Sequence, residues 1–446
     1  MKNIKINMPL EVEFALNLLN NNGFDAYIVG GCVRDSILGI EPTDWDITTS
    51  ALPPIIMKCF ENYKIIETGI KHGTVTVIIN NMQLEITTYR IEGEYTDNRR
   101  PDYVGFTNNI SLDLERRDFT INAMAYNKTG IIDLFGGIID IELQKVKCVG
   151  NADIRFSEDG LRILRALRFS SVLGFEIEIN TSNSIHKNRK LLKNISAERL
   201  SSEFNKLITG VNFKQILTEY SDVISVFIPE INKLSGYDKQ NDSCKDDVWK
   251  HTLISMSNVT SDLALRLVMM FLNLGKSKSV ANDEKNAEFL SGSSKISSDI
   301  ASNILRRLKY DKSTTELVKT LIFYHDAEIE PTTKNVKRWL NKVGVSVFNE
   351  LIEVKKADIK FQQCIYEEES LNIFNQIQFI EAEVLRKNQC FNLKNLAVNG
   401  RDLIDIGINE GKKIGEILNE LLNKVIDEEL DNEREKLLNY LKIEKL

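Results

Sequence analysis

The sequence predicts an α+β protein, with a small mixed α/β region first and a mostly helical remainder. Two observations carry that prediction. The first 140 residues hold short apolar or alternating runs bounded by Gly, Asn and Asp, whereas after about residue 141 apolar residues recur at helical spacing. A chain of 446 residues is also too long for one core, and roughly 150 residues per unit gives about three folding units. Only seven prolines punctuate it, and no repeat, low-complexity tract or long linker separates the parts.

Taken in order, AYIVGG at 26–31 reads as a strand ending in a glycine turn, and DWDITT at 44–49 as a second strand. TVTVIINNMQLEITTYR at 74–90 reads as two strands joined by Asn80 and Asn81, which tolerate the positive φ of a tight hairpin turn. LRILRALRFSSVLGF, AERLSSEFNKLI and ALRLVMMFLNL then read as helices. SGYDKQNDSCKDD at 235–247 is the clearest loop in the helical part, and IDEELDNEREK near the end is an exposed helix surface.

Bulk properties exclude several classes. No apolar run approaches the roughly 20 residues that span a bilayer, and the start lacks the pattern of a secretion signal, so the expected compartment is the cytosol. Six scattered cysteines (32, 59, 148, 244, 364, 390), with no CxxC pair, argue against a zinc knuckle or a disulfide scaffold and for reduced, buried thiols. A formal net charge of -7 argues against coating nucleic acid by bulk electrostatics. Local contact stays open through HKNRKLLKN at 186–194, RRLK at 306–309 and KNVKRWLNK at 334–342, each of which reads equally as a solvated helix face.

GGCVRDSILGIEPTDWDITTS, residues 30–50, raises the chemical question. On a strand, Asp44 and Asp46 project to one side and Trp45 to the other, an arrangement that costs free energy without a counter-charge. Magnesium supplies one, because it takes carboxylate oxygens, keeps waters and completes its shell with substrate phosphates. Two such ions activate an attacking hydroxyl and stabilise the leaving oxygen of a phosphoryl displacement. Glu85 alternates with Gln83 and Thr87 on one face of MQLEITT and is the candidate third carboxylate. Taken alone, DWD reads as well as a turn, with Glu85 an exposed strand residue. The preceding strand, Gly-Gly turn and helix start change the balance, since free backbone N–H groups there suit a triphosphate.

GGCVRD with TDWD, LERRDFTINAMAYN, DLFGGIIDI, EDGLRILRALRF and SAERLSSEF, in that order, resemble the motif series of class II tRNA nucleotidyltransferases, the CCA-adding enzymes. The resemblance runs from about residue 20 to 210 and continues more weakly in AVNGRDLIDIGINEGKKIGEILNELLNKVI. It implies a mixed-sheet nucleotidyltransferase head over 1–140, a nucleobase-recognising helical neck over 141–206, a helical body over 207–345 and a tRNA-binding helical tail over 346–446. The implied activity adds C, C and A to tRNA 3′ ends from CTP and ATP with release of pyrophosphate. Catalysis falls to Asp44, Asp46 and Glu85, with magnesium on Asp44 and Asp46. Nucleotide contact falls to Gly30, Gly31, Arg34, Arg117, Asp118, Asn122, Asp159, Arg162 and Arg165. The implied partners are the tRNA 3′ end and the two nucleotides, with no membrane and no obligatory protein partner.

The residues suit those roles. Asp118 and Asn122, four apart on an expected helix, face one way, and a carboxylate accepts a hydrogen bond from a ribose 2′-OH. Arg116 and Arg117 suit phosphate, or serve as surface ion pairs. Asp159 and Arg162, three apart on an expected common helix face, present an acceptor beside a donor. Cytosine and adenine offer the complementary donor and acceptor, whereas guanine and uracil offer the reverse and leave buried polar groups unpaired. Glu158, Arg165 and Arg199 are expected to brace that pair, and an ordinary helix salt bridge is the alternative. DLFGG is expected to form a flexible head-to-neck junction through its glycines. By resemblance, YRIEGEYTDNRRPDYVGF at 89–106 is a mobile lever, and its retention favours full CCA addition over a partial A-adding or CC-adding enzyme.

Bacterial poly(A) polymerase is the nearest alternative, but ETGIKHGTVTV at 67–77 looks like the CCA-adding version. A second alternative is a metal-dependent phosphohydrolase, because VWKHTL, LRLVMMFLNLGK and YHD resemble an HD-domain scaffold. Leu272 and Asn273 stand where its His-Asp pair belongs, and Gly292 and Ser293 where related chains carry Gly-His, so His251, His325 and Asp326 are expected to be a structural remnant that holds RNA. A non-catalytic RNA-binding descendant is opposed by the joint presence of Asp44, Asp46, Asp118, Asp159 and Arg162. His72 and His186 are assigned no role.

Overall fold

The computed structural model describes residues 4–93, 103–234, 248–275, 290–359, 367–408 and 411–444. The expected loop at 235–247 and the centre of the expected lever, 94–102, lie outside the described residues. The chain divides into two compact units, Met1–Asn232 and Lys233–Leu446. The first contains the expected head and neck and continues past residue 206 through helices at Phe213–Glu219 and Ser221–Ile224.

In the first unit, strands β1 (Ala26–Val29), β2 (Asp46–Thr49), β3 (Lys64–Ile66), β4 (Thr74–Ile79) and β5 (Met82–Thr88) precede a small pair, β6 (Arg90–Glu92) and β7 (Val104–Phe106). β8 (Met124–Asn127) and β9 (Gly130–Asp133) complete a seven-stranded sheet of order β3-β4-β5-β2-β1-β8-β9. The sheet is mixed: β2 runs parallel to β5, and β1 runs antiparallel to both β2 and β8. The β4–β5 hairpin turns on Asn80 (φ 47°) and Asn81 (φ 69°), as their tolerance of left-handed backbone predicts. Alternation along the strands buries Ile28, Ile47, Val75, Val77, Leu84 and Ile86, and helix α1 (Leu10–Asn21) adds Val12, Ala15, Leu16 and Leu19 to the core.

Five short helices complete the head and its exit: α2 (Gly31–Ile37), α3 (Pro53–Cys59), α4 (Ile110–Glu115), α5 (Gly137–Glu142) and α6 (Ala152–Glu158). The expected neck contains α7 (Leu161–Leu173), α8 (Ile179–Asn188) and α9 (Ala197–Ile208). Leu161, Leu164 and Leu167 of α7 are buried, as their spacing predicts. The neck is helical apart from one two-residue parallel pairing of β10 (Lys145–Val146) with β11 (Glu176–Ile177).

In the second unit every described element longer than one turn is a helix, from Val248–Ser257 to Arg434–Glu444. Capping side chains start several of these: Asp262 accepts from the Leu265 N–H, Asp311 from Thr314, and Asn399 forms a capping box with Asp402. Leu403, Leu421, Leu422, Leu437 and Leu441 build a separate apolar cluster near the chain's end. No described helix is long and apolar enough to cross a membrane. Cys32, Cys148 and Cys390 are buried free thiols, while Cys59 is only half-buried.

Candidate active site

Asp46 opens strand β2, and Asp44 lies two residues ahead of it, outside any regular element. Both aspartates are exposed and Trp45 between them is buried, so the expected alternation holds even though only Asp46 is within the strand. β2 pairs with β5 so that Asp46 stands directly beside Glu85, and both face away from the buried Ile47 and Ile86. Although reached by solvent, Asp46 sits among protein atoms as a cleft side chain does. That surrounding mass pushes its carboxyl above the ordinary value, the Glu85 and Asp44 charges push the same way, and Arg117 opposes them. The site therefore gathers negative charge that the described side chains do not fully balance.

The glycine turn lies alongside. Gly30 caps α2 with φ 82°, a conformation that suits glycine. A Cβ there would sit 3.3 Å from Arg117 Nη1, so the arginine covers the turn. Arg34 of α2 is buried, and its Nη1 donates to Asn122 Oδ1 at 2.6 Å.

Asp118 and Asn122 do not share an α-helix, contrary to expectation. Asp118 lies in a bend and Asn122 in a 3-10 turn over Thr120–Asn122, because Phe119 bridges to Cys148 and draws the backbone out of helix. They still meet, with Asn122 Nδ2 donating to Asp118 Oδ1 at 3.2 Å. Asp118 is buried and accepts from Arg165 of α7 through Nε (2.8 Å) and Nη2 (2.5 Å). Burial raises the Asp118 carboxyl, but Arg165 outweighs it and, with Arg162 and Asn122, holds it down to about 2.

Asp159 and Arg162 also depart from expectation. The helix breaks between them: Asp159 is the extended C-cap residue of α6, and Gly160 leads into α7. Each has its own partner. Asp159 Oδ2 accepts from Arg199 Nη2 at 2.6 Å, and Arg162 pairs with Glu158 and donates to the Arg116 carbonyl oxygen at 2.9 Å. Glu158 and Arg199 therefore brace this pair as expected, whereas Arg165 braces Asp118.

The DLFGG segment is not the loose joint its glycines suggest. Both Asp133 carboxylate oxygens accept backbone N–H groups, from Gly137 (2.8 Å) and Ile138 (2.9 Å), and a Cβ on Gly137 would lie 2.3 Å from the Thr120 carbonyl oxygen. Gly136, at φ 77°, supplies a turn, while Gly137 supplies close packing.

Three residues escaped the sequence reading. Arg168 and Phe169 of α7 line a cavity of about 360 Å³ together with Arg34, Lys206 and Val211. The guanidiniums of Arg168, Arg34 and Arg165 lie 3.9, 5.1 and 5.4 Å from the Phe169 ring centroid. Burial pushes Arg168 down to about 10, with Arg165 and Arg34 adding to the shift and Glu203 and Asp118 opposing it. Asp113, on α4, is the third. Its signal was present in SLDLERR, an acid three and four residues before two arginines on a helix.

Matches to known families cover three stretches: a poly A polymerase head domain over 26–147, an RNA and SrmB binding site of polymerase A over 174–234, and a tRNA nucleotidyltransferase domain 2 over 279–441. The chain thus resembles a poly A polymerase head domain over its first third and a tRNA nucleotidyltransferase domain 2 over its last. It is similar to the CCA-adding enzymes of Ligilactobacillus salivarius (47% identical over 48% of this chain and 54% of the relative) and Geobacillus thermodenitrificans (46%, over 47% and 52%). The chain thus spans about half the length of the curated relatives it matches. Among solved structures it resembles the Bacillus stearothermophilus CCA-adding enzyme in complex with CTP, at 28% identity and TM-score 0.68, with 98% of each chain covered. The fold is also that of the Thermotoga maritima CCA-adding enzyme complexed with tRNA, at 21% identity and TM-score 0.58, over 98% of this chain and 96% of that one.

Elsewhere in the chain, the histidines of the HD-like stretch are held by protein groups. His251 Nδ1 accepts from Asn273 Nδ2 at 3.2 Å, with its Nε2 3.7 Å from Asp358. His325 Nδ1 donates to the Ile322 carbonyl oxygen at 2.7 Å, and the buried Lys355 ammonium donates to the carbonyl oxygens of His325 and Ala327. Among the described residues, no three His, Cys, Asp or Glu side chains converge to hold a metal ion by themselves, here or at Asp44, Asp46 and Glu85.

Proposed function

We propose that this chain adds C, C and A to the 3′ end of tRNA from CTP and ATP in the cytosol, releasing pyrophosphate at each addition. The observation that carries the proposal is the joining, within one compact unit, of a carboxylate cluster on β2 and β5 to an arginine-rich cavity bounded by α2, α7 and α9. Similarity to the CCA-adding enzymes, including one solved with CTP, supports it.

The donor set fits magnesium. Asp44 and Asp46 would hold it with oxygen ligands alone, and two carboxylates leave places for water and triphosphate, as this cation prefers. When bound, it supplies positive charge that favours ionisation of the attacking hydroxyl and steadies the departing phosphate. Glu85 adds negative charge beside Asp46.

The chain's own residues do the rest. Arg117 covers the Gly30 turn, and Arg34, Arg168 and Lys206 line a cavity suited to triphosphate oxygens. Arg117 Nε and Arg199 Nη1 are buried donors without a hydrogen-bond partner, as an anion site requires. Asp118, kept ionised by Arg165, accepts from the ribose 2′-OH. Asp159 and Arg162, each fixed by a separate partner, are pre-oriented for the base edge and pay less ordering entropy on binding. The RNA 3′-OH attacks the α-phosphorus in line as pyrophosphate leaves, with no covalent enzyme intermediate.

Incubation of the purified chain with tRNA transcripts lacking their last three nucleotides tests this, offering each nucleotide singly and CTP with ATP. Addition that stops after CCA is expected. A long A tract on any RNA would instead favour poly(A) polymerase.

A further inference from the structure

Asp113 is fully buried, yet the catalytic reading gives it no part. It lies on α4, three residues before the RRD segment begins, and gathers donors from four directions. Its Oδ1 accepts from Arg116 Nη2 (2.7 Å), Arg116 Nε (3.1 Å) and the Arg90 backbone N–H (3.2 Å). Its Oδ2 accepts from Arg117 Nη2 (3.2 Å) and the Thr48 hydroxyl (3.2 Å).

Those partners lead to both ends of the proposed site. Thr48 shares the face of β2 with Asp46, two residues on. Arg117, with one end of its guanidinium on Asp113, lays the other against the Gly30 turn and stabilises the charged form of Asp46. Arg116, with its side chain on Asp113, offers its carbonyl oxygen to Arg162. Arg90 begins β6, the strand that enters residues 94–102.

We infer that Asp113 is a positioning residue for nucleotidyl transfer: one buried carboxylate fixes Arg117 beside the catalytic aspartates and Arg116 beneath the base-reading Arg162, holding the two ends in register. This rests on the function proposed above. A carboxylate fits the task because two guanidiniums need one shared anion, and their planar donors transmit its position rigidly. Burial keeps solvent from relaxing the arrangement; it raises the Asp113 carboxyl, and Arg117 and Arg116 bring it below its ordinary value.

Asp113→Asn preserves shape and removes the charge. The expected result, in chain that remains folded, is a fall in kcat/KM for CTP and ATP of about 100-fold, the scale of a misplacement near 1 Å, with tRNA affinity close to wild type. In an Arg116→Ala, Arg117→Ala background the same change should cost less than about 3-fold, because the groups it positions are gone. A merely structural aspartate would cost the same in both backgrounds, and that result, or a full rate in Asp113→Asn alone, overturns the inference. If Asp113→Asn does not fold, Thr48→Val removes one donor and reads the same non-additivity at smaller amplitude; equal losses in both backgrounds overturn the inference there too. A wild-type chain that extends no tRNA refutes the proposed function itself, so the two failures are separable.

Discussion

Replacing Arg165 with methionine tests how the head is tied to the neck helix α7. The Asp118 carboxylate is buried, and Arg165 grips one of its oxygens through two N–H groups. A carboxyl held at about 2 in the folded chain, against 3.8 ordinarily, contributes about 2 kcal/mol of stability at neutral pH. Removing one partner of a buried pair costs about 3 to 5 kcal/mol, and since the Arg165 side chain is 32% exposed the lower end applies. Arg165→Met should therefore lower stability by about 2 to 3 kcal/mol at pH 7.

The sign of the pH dependence follows from the depressed carboxyl. Its stabilisation is complete above the unfolded value near 4, and it is lost as pH falls through the folded value, about 2. The gap between wild type and Arg165→Met should thus be full at pH 7 and fall to roughly half at pH 3. Urea unfolding followed by tryptophan fluorescence measures it. Trp45 is the one tryptophan of the first unit, so Trp249→Phe with Trp339→Phe isolates the signal. A gap below about 0.5 kcal/mol at pH 7, or one that widens toward pH 3, would refute the reasoning.

Other outcomes follow from the same geometry. Asp44→Ala or Asp46→Ala should reduce incorporation by more than about 1,000-fold while tRNA affinity stays within about threefold, measured by single-turnover extension and filter binding. Asp159→Ala with Arg162→Ala should raise the share of GTP and UTP incorporated, because the site then leaves fewer polar groups unpaired by the wrong base; unchanged preference would remove the base-reading role. Gly137→Ala forces a methyl against the Thr120 carbonyl oxygen and Met124, and should cost about 1 to 3 kcal/mol of stability and raise KM for both nucleotides.

The strand order of the head could not be read from the sequence, yet its individual strands could, because period-two alternation and the Asn80–Asn81 turn are local signals. Asp46 beside Glu85 needed the parallel β2–β5 pairing, which joins strands distant in sequence. The reading of EDGLRILR as one helix failed for a local reason, the break at Asp159–Gly160. The consequence is functional: freed from a common helix, Asp159 reaches Arg199 and Arg162 reaches Glu158.

By itself the sequence determined which chemistry is available: an acidic pair around a tryptophan, a glycine turn, an arginine-rich neck helix and an ordered series of motifs. Only the tertiary structure decided who holds whom. Arg165 went to Asp118, Arg168 and Phe169 went to the cavity wall, and Asp113 went beneath two arginines. The physical reason is reach. Spacing along a chain fixes which side chains share a face over a few residues, whereas a guanidinium chooses among carboxylates that folding brings near from tens of residues away, and burial then decides which pairings survive competition with water.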